Sequence, residues 1–354
     1  MKKRPIAFFI AVLAAFSAIL SGCSCSGDST LSFNSINATA ETLSYTVKQV
    51  DDYGSIKKSA ELDKYFTFEY SVGNYTTKLE ETSKSDEEIK NSDILEIKDA
   101  KGDALIDSVY KLTTDFEIGL TITINGQEPY FHTEKITTKA YIAKQGAGFA
   151  PLYAKEDAEY TVISVGSDST EIAIVKSVSE TFYNKDEYRT VKKAKSFATD
   201  AAPETITLEG ADAQETTTDY TFRSAIDNAE LLFAIRGLKI EEKASETIQA
   251  VSSGYEAPQP IKITNTALAE KQFTLKNYNG AENVTETIKY SSLSFSLDKT
   301  NASGTPQYAS VQTEEKGNIK NTCLLLEYVK PLITYGTFMS MGALEFTLNS
   351  VITN

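Results

Sequence analysis

The sequence predicts a mainly β protein: one large antiparallel sheet, shaped as a curved half-barrel or a sandwich, with a single prominent short helix near residues 228–236. Three observations predict it. Threonine, serine and tyrosine dominate the polar and aromatic positions and only 8 prolines occur, a composition that suits pleated strands. Apolar and polar residues alternate in many separate segments. Only one segment combines helical spacing with a start and a stop signal.

The clearest strand runs through Phe116, Ile118, Leu120, Ile122 and Ile124, whose alternation puts every apolar side chain on one face. Asn125-Gly126 follows, a dipeptide that tolerates left-handed backbone and closes two-residue hairpins. A returning strand is expected through Tyr130, His132, Ile136 and Tyr141. Pro129 belongs at its start or in a bulge, because proline cannot donate to a ladder. Further strands are read at 45–50, 65–72, 160–165, 171–175, 188–193, 204–208, 260–265, 272–277, 285–297, 307–312, 323–329 and 344–351. Within 285–297, Ile288 and Tyr290 share one phase while Leu293, Phe295 and Leu297 share the other, which a bulge near Ser291-Ser292 reconciles. Asn279-Gly280 marks another turn.

The helix takes Asp227 or Asn228 as N-cap and Gly237 as its stop. Ala229, Leu231, Leu232, Phe233, Ile235 and Leu238 cover nearly its whole circumference, so it is expected to be buried between sheet and loops. A buried strand through 231–235 is the competing reading. Residues 198–218 are rich in Ala, Thr, Asp and Glu and contain Pro203 and Gly210. They form either an excursion within one domain covering 41–354 or a division into two lobes near 198–220. The acidic stretch 80–88 reads as a solvated loop or helix face.

The N-terminus reads as an export signal. Lys2, Lys3 and Arg4 precede an almost unbroken apolar run over 6–20, shorter than the roughly 20 residues needed to span a bilayer. The run ends at Leu20-Ser21-Gly22-Cys23, which resembles the lipobox of bacterial lipoproteins. The resemblance implies that residues 1–22 are a signal peptide and that the Cys23 thiol is lipidated. It further implies that the cut falls just before Cys23 and that the protein stays on the extracytoplasmic face of a membrane of the bacterial cell envelope. Two acyl chains make such an anchor stable where one does not. Residues 23–40 then form a lipidated flexible tether, opening with Ser, Gly, Asp and Thr apart from Cys25.

Removing residues 1–22 takes away three positive charges and no negative one, so the formal charge moves from −14 to −17. Such acidity argues against a nucleic-acid partner, which calls for a basic stripe, and against electrostatic docking on anionic lipid. The lipid anchor is the membrane contact that remains. With Cys23 assigned to lipid, Cys25 and Cys323 either pair in the oxidising space outside the cytoplasm or serve as a tether thiol and a small buried residue.

Enzymatic chemistry finds little support. His132 is the one histidine, no Gly-x-Ser-x-Gly elbow occurs, and neither a His-Glu-x-x-His pair nor paired cysteines could hold zinc. On the returning strand His132 is expected to meet solvent or to pack beside Tyr130. Asp99 with Asp103, and Asp298 with Asn301, sit near glycines without the spacing of a calcium loop, and ordinary turns account for both. The absence of tryptophan removes the usual stacking platform for sugars, so a carboxylate-dependent hydrolase is the weakest reading. The chain reads as a non-enzyme with no catalytic residue, metal or cofactor.

Binding is left. Segment 147–156 carries Phe149 and Tyr153, the helix carries Leu232 and Phe233, and segment 331–344 carries Tyr335, Phe338 and Met339. Met and aromatic side chains adapt to varied apolar ligands, and these seven are the candidate contacts. The hairpin from Phe116 to Tyr141, the Phe149 to Tyr153 segment and the helix together resemble the half-barrel lipoproteins that hold lipids or other amphiphiles between a curved sheet and a helical plug. That resemblance implies a lipid or amphipathic ligand. A structural or adhesive cell-surface module is the alternative, using Tyr- and Thr-rich sheets to meet protein or glycan.

Overall fold

The computed structural model describes residues 8–11, 40–60, 62–146, 148–165, 170–210, 212–253, 257–297, 307–312, 323–333 and 340–353. In chain order the strands are β1 (Phe8–Ala11), β2 (Glu41–Val50), β3 (Asp52–Tyr53), β4 (Ile56–Lys57), β5 (Phe66–Tyr70), β6 (Gly73–Thr82), β7 (Ser108–Ile124), β8 (Tyr130–Gln145), β9 (Gly148–Val165) and β10 (Thr170–Tyr183). They continue as β11 (Glu187–Ala198), β12 (Gln214–Asp219), β13 (Ile226–Asp227), β14 (Ser245–Val251), β15 (Gln259–Leu275), β16 (Asn277–Tyr278), β17 (Val284–Leu297), β18 (Gln307–Gln312), β19 (Leu325–Ile333) and β20 (Ser340–Thr353). Between β13 and β14 lies the short helix α1 (Leu231–Ala234), extended by 3-10 turns at Asn228–Glu230 and Ile235–Gly237.

β12, β11, β10, β9, β8 and β7 are successive antiparallel neighbours. β5 and β6 share the next edge of β7, and from β6 the ladder runs on through β2, β20, β19, β18, β17, β15 and β14. β13 joins β14 and β16 joins β20 in parallel; β1 pairs with the end of β9, and β3 with β4. The right-handed twist of strands up to 18 residues long rolls the sheet into a barrel, and the far end of the ladder, at β13 and the turn after it, returns against β9. A single rolled sheet is therefore observed rather than two stacked ones.

Alternation decides what the roll encloses. Tyr45, Tyr75, Phe346, Tyr328 and Phe295 come from β2, β6, β20, β19 and β17 and meet on the concave side. Ring centroids lie 5.5 Å apart for Tyr45 and Tyr75, 5.5 Å for Tyr75 and Phe346, 5.1 Å for Tyr328 and Phe346, and 6.0 Å for Phe295 and Tyr328. Each such pair contributes about 0.5–1.5 kcal/mol beyond its buried area. A second apolar cluster, with Ile89, Ile94, Tyr141, Tyr153, Tyr183, Tyr188 and Tyr220, is built where the segment between β6 and β7 packs on the sheet.

The helix forms as the sequence indicates, with Asp227 as N-cap accepting from the Ala229 N–H at 2.8 Å. It ends at Gly237 without a left-handed cap: Gly237 closes the last 3-10 turn and Leu238 leaves in extended backbone. The two Asn-Gly dipeptides behave differently from each other. Asn279 and Gly280 both have positive φ, 49° and 87°, and Tyr278 and Ala281 exchange both backbone hydrogen bonds around them, as in a mirror-image hairpin turn. At Asn125-Gly126 only the glycine is left-handed, with φ 83°, and the chain makes a wider connection that resumes pairing at Tyr130. Asn125 is held to the neighbouring β5 side, its side-chain amide donating to the Lys64 carbonyl and its N–H to that of Tyr65; Pro129, with no N–H, delays the return.

Three other expectations need correction. The phase change in β17 falls near Ser291 as expected, but the extra residue is Thr266 on β15, between Asn265 and Ala267. Residues 204–208 form no strand; they run irregularly between Pro203 and Gly210, and β12 takes the edge of β11 instead. The acidic stretch 80–88 is only partly solvated: Glu80 to Thr82 belong to β6, and beyond them Asp86 and Glu88 accept from the Tyr141 hydroxyl at 3.0 and 2.7 Å while Lys139 pairs with Glu88. Cys323 is buried, whereas Cys23 and Cys25 lie outside the described residues.

Gly342 on β20 has φ 87°, and a Cβ there would collide with the Val50 carbonyl oxygen on β2. Gly126 is equally left-handed but faces open space. Chemical denaturation of the two alanine variants is expected to show a loss of about 1 kcal/mol for Gly126→Ala and roughly 3 kcal/mol for Gly342→Ala. Equal losses would show that Val50 yields.

Candidate functional site

The concave face and the helical turn enclose a cavity of about 80 Å3. Tyr75, Phe116, Tyr328 and Phe346 line it from the sheet, Leu231 and Leu232 from α1. Ile136 and Glu156 lie at its border and also line a second, polar cleft of about 180 Å3 formed with Tyr160, Ser177, Ser179, Lys192 and Gln214. The two share these walls and make one groove, apolar at one end and polar at the other. Strand alternation explains the lining: Ile136 opposes Phe116 on β7 and Ala158 on β9, so one phase of each strand faces the groove.

The helical turn is pinned over this groove. Arg236 forms a bidentate, wholly buried ion pair with Glu41 at the start of β2, and its Nε donates to the Cys323 carbonyl. Burial alone would lower the pKa of Arg236, but the Glu41 charge and its hydrogen bonds outweigh that and raise it. Phe233 packs against Phe149 of β9 with centroids 6.1 Å apart and lies under the Arg236 guanidinium.

Charged groups accompany the apolar lining. Lys330 on β19 is buried, and loss of solvent brings its pKa down to about 8 against the opposing pull of Glu156 and Glu134. Burial likewise raises Glu156 to about 7, with the Asp227 charge adding to the effect and Lys330 opposing it. Glu134, fully buried, is raised to about 7 by desolvation even though it accepts from the Thr161 N–H at 2.8 Å and the Tyr70 hydroxyl at 2.7 Å. Asp227 is raised to about 6 by burial while accepting from the Tyr183 hydroxyl at 2.6 Å. Beside it Glu230 is pushed well up by burial and by the Asp227 charge.

Of the sequence candidates, Leu232 lines the apolar cavity directly, and Phe233 lines its narrow continuation beside Arg236, Tyr45 and Tyr75. Phe149 supports Phe233 from below. Tyr153 does not join them. The register shifts between Tyr141 and Ile142 opposite Pro151 and Tyr153, so the extra residue Leu152 turns Tyr153 to the other face, where it packs on Tyr141 and Phe182. Tyr335, Phe338 and Met339 lie outside the described residues. His132 packs beside Tyr130, centroids 6.3 Å apart, with Nε2 3.4 Å from Glu159; burial holds its pKa below the ordinary value. Among the described residues, no three His, Cys, Asp or Glu side chains converge as a metal site. Lys330, Glu156 and Glu134 are site residues that the sequence reading passed over. One signal was available for the lysine: it interrupts the alternating series Leu326, Tyr328, Leu332, all buried.

No protein-family model matches the chain, and no curated protein matches its sequence. Among solved structures, the β-barrel-like protein of the domain of unknown function DUF1849 from Brucella abortus is similar to it over 90% of this chain and 99% of that one, at 8% sequence identity and a TM-score of 0.39.

The raised carboxylates bias stability toward acid. A group whose folded pKa is raised stabilises the fold fully below its unfolded pKa and loses that contribution as pH climbs through the folded value. For Glu134, Glu156 and Asp227 the window is about pH 4 to 7, and Lys330 adds stability only as pH rises past about 8. Thermal unfolding is therefore expected at a Tm about 4 °C or more higher at pH 5 than at pH 7.5. Glu156→Gln should flatten part of that slope, and a Tm that falls toward pH 5 contradicts the assignment.

Proposed function

We propose that this chain is a lipid-anchored extracytoplasmic binding protein that takes up an amphipathic ligand between the concave face of its rolled sheet and the α1 turn. The observation that carries the reading is the groove itself, in which an apolar cavity under Leu232 runs into a polar cleft across Ile136 and Glu156. Small-molecule sites usually measure about 300–1,000 Å3. The apolar end, at about 80 Å3, is below that range, so it admits the end of a chain or a ring rather than a whole lipid. The polar remainder of such a ligand fits the 180 Å3 cleft.

Cys23 supplies the anchor in this reading, on the strength of its lipobox-like context. The 17 residues from 24 to 40 can reach at most about 60 Å when extended, which keeps the groove close to the bilayer. The formal charge of −17 gives the folded part no electrostatic hold on anionic lipid, so the acyl chains alone retain it.

Solvent extraction of the protein purified from its host, followed by mass spectrometry, is expected to release a stoichiometric amphiphile. The neutral fluorophore aminoanthracene should bind the emptied protein, and Leu232→Trp, which fills the cavity, should weaken it about tenfold or more. Undiminished binding by that variant moves the site elsewhere. The chain made without residues 1–23 is expected to remain in the supernatant when sedimented with phosphatidylcholine and phosphatidylglycerol vesicles; co-sedimentation would show a second membrane contact.

A further inference from the structure

The polar cleft is built on one cross-strand row of the sheet. Register sets Thr114 of β7, Thr138 of β8, Glu156 of β9, Ser179 of β10, Lys192 of β11 and Gln214 of β12 each directly opposite the next, so six neighbouring strands turn a polar side chain to the same face. The row starts in the apolar cavity, lined by Thr114 and Thr138, and ends in the cleft, lined by Ser179, Lys192 and Gln214; Glu156 lines both. Beside it runs a row of smaller side chains, Ala158, Ser177 and Ala194, which leaves the space of the cleft above the sheet.

The inner end of the row is satisfied within the protein, Thr114 and Thr138 sharing a hydrogen bond of 2.7 Å. The outer end is not. Among the described residues, no hydrogen bond or ion pair engages the side chains of Glu156, Ser177, Ser179, Lys192 or Gln214. Glu156 and Lys192 stand two strands apart, about 10 Å along the ladder, with Ser179 between them. The other charged side chains of the cleft are engaged elsewhere, Asp212 with Lys195 and Lys193 with the Glu209 carbonyl at 2.7 Å. The cleft thus offers an acceptor at one end of the row, a donor at the other and hydroxyls between.

A head group with a single charge meets its like at one end of this row and gives up its hydration on entry. A zwitterion answers the two charges and leaves Ser177, Ser179 and Gln214 without partners. An uncharged ring of hydroxyls answers the whole row, since each hydroxyl both donates and accepts, and its bonds to Glu156 and Lys192 are charge-assisted. Tyr160, the one aromatic side chain in the lining, and the Ala158 and Ala194 methyls supply apolar surface for the C–H groups of such a ring. At about 180 Å3, below the roughly 300–1,000 Å3 of most small-molecule sites, the cleft suits one ring rather than a chain of them.

We infer that the ligand's head group is a single uncharged polyhydroxyl ring, glycosyl in chemical class, held along the row from Glu156 through Ser179 to Lys192 and Gln214. This rests on the amphiphile reading above and adds the class of head group. Glu156 accepts from one ring hydroxyl, Lys192 donates to another, and Ser179 bonds between them.

The test uses residues 24–354, which retain every strand of the barrel except β1. Loaded with aminoanthracene, they are titrated below micelle-forming concentrations with octyl glucoside, octanol, octanoate, octylamine and octyl phosphocholine. Octyl glucoside is expected to displace the probe at a concentration about tenfold lower than any of the others. Ser179→Ala and Lys192→Met should each bring octyl glucoside about three- to tenfold closer to octanol, with circular dichroism checking that each variant is folded. If one variant does not fold, the other decides. An undiminished advantage of the glucoside in the folded variants overturns the row as its site. Octyl glucoside no tighter than octanol, or a charged or zwitterionic compound tighter than either, overturns the head-group assignment and leaves the amphiphile reading standing. Failure of the probe and all five compounds to bind overturns both.

Discussion

The buried pair of Arg236 with Glu41 is the interaction on which the rest of the architecture depends. Glu41 opens the strand that pairs with both β6 and β20, and Arg236 ends the helical turn that covers the groove, 195 residues further along the chain. The Asp227 cap alone cannot hold that turn in place: α1 is 4 residues long, far below the roughly 12–15 at which an isolated helix becomes stable in water. Its position is set by what it touches. The guanidinium spans Glu41 and the Cys323 carbonyl at the approach to β19, and the next contact in the same wall is the Tyr45 hydroxyl on the Leu325 carbonyl at 3.0 Å. Breaking such a pair leaves one charge buried alone, at a cost of about 3–5 kcal/mol, which is the scale of a whole domain's margin. The pair therefore fixes the height at which Leu232 meets the sheet, and with it the shape of the cavity.

A barrel lined only by apolar side chains would have been more stable. This one keeps Glu134, Glu156, Asp227, Glu230 and Lys330 inside or at the edge of its core, and desolvation moves every one of their pKa values toward neutrality. Some of that cost is offset locally. Asp227 caps the helical turn and takes the Tyr183 hydroxyl; Glu134 collects one N–H and one O–H. Lys330 and Glu156 are the two of these that line the apolar cavity. Perturbed groups collected in a cleft are one physical signature of functional sites.

Much of the fold was legible because period-two alternation reports which face of a strand is buried without reference to what covers it. The β7 series from Phe116 to Ile124 and the β17 phase change near Ser291 illustrate this. What failed depended on partners. Asn125-Gly126 has the chemistry of a mirror-image turn, but Asn125 is drawn to the Lys64 and Tyr65 carbonyls ahead of β5 and Pro129 delays the return; Asn279-Gly280 makes the turn, its Asn279 bonding to Val351 and Thr353 of β20 in the left-handed backbone that the turn requires. Phe149 and Tyr153 share a sequence phase, yet one extra residue at Leu152 parts them to opposite faces; Pro151 beside it is a residue type that bulges accept, but it does not say which residues the shift separates. The site was half legible for the same reason. Leu232 and Phe233 are conspicuous on any helical projection, whereas Glu156 is an ordinary polar residue of a long strand until the sheet rolls and brings β19 opposite it.

Rolling also separates the charge the protein shows to the outside from the charge it shows to its groove. With residues 1–22 removed, as proposed, the formal charge is −17, which repels anionic amphiphiles and anionic bilayers alike over about a Debye length of 8–10 Å. Inside, desolvation makes a single lysine weigh far more than a surface charge of either sign, since the effective dielectric constant falls from about 80 toward 20 or lower. On the proposed reading, the net charge makes diffusion from solution a poor supply of any anionic amphiphile, and the 17 residues between Cys23 and β2 make the bilayer a local reservoir whose effective concentration does not depend on charge steering. The acyl chains at Cys23 and the apolar cavity under Leu232 then answer two halves of one problem, getting a ligand close and holding it once water has been left behind.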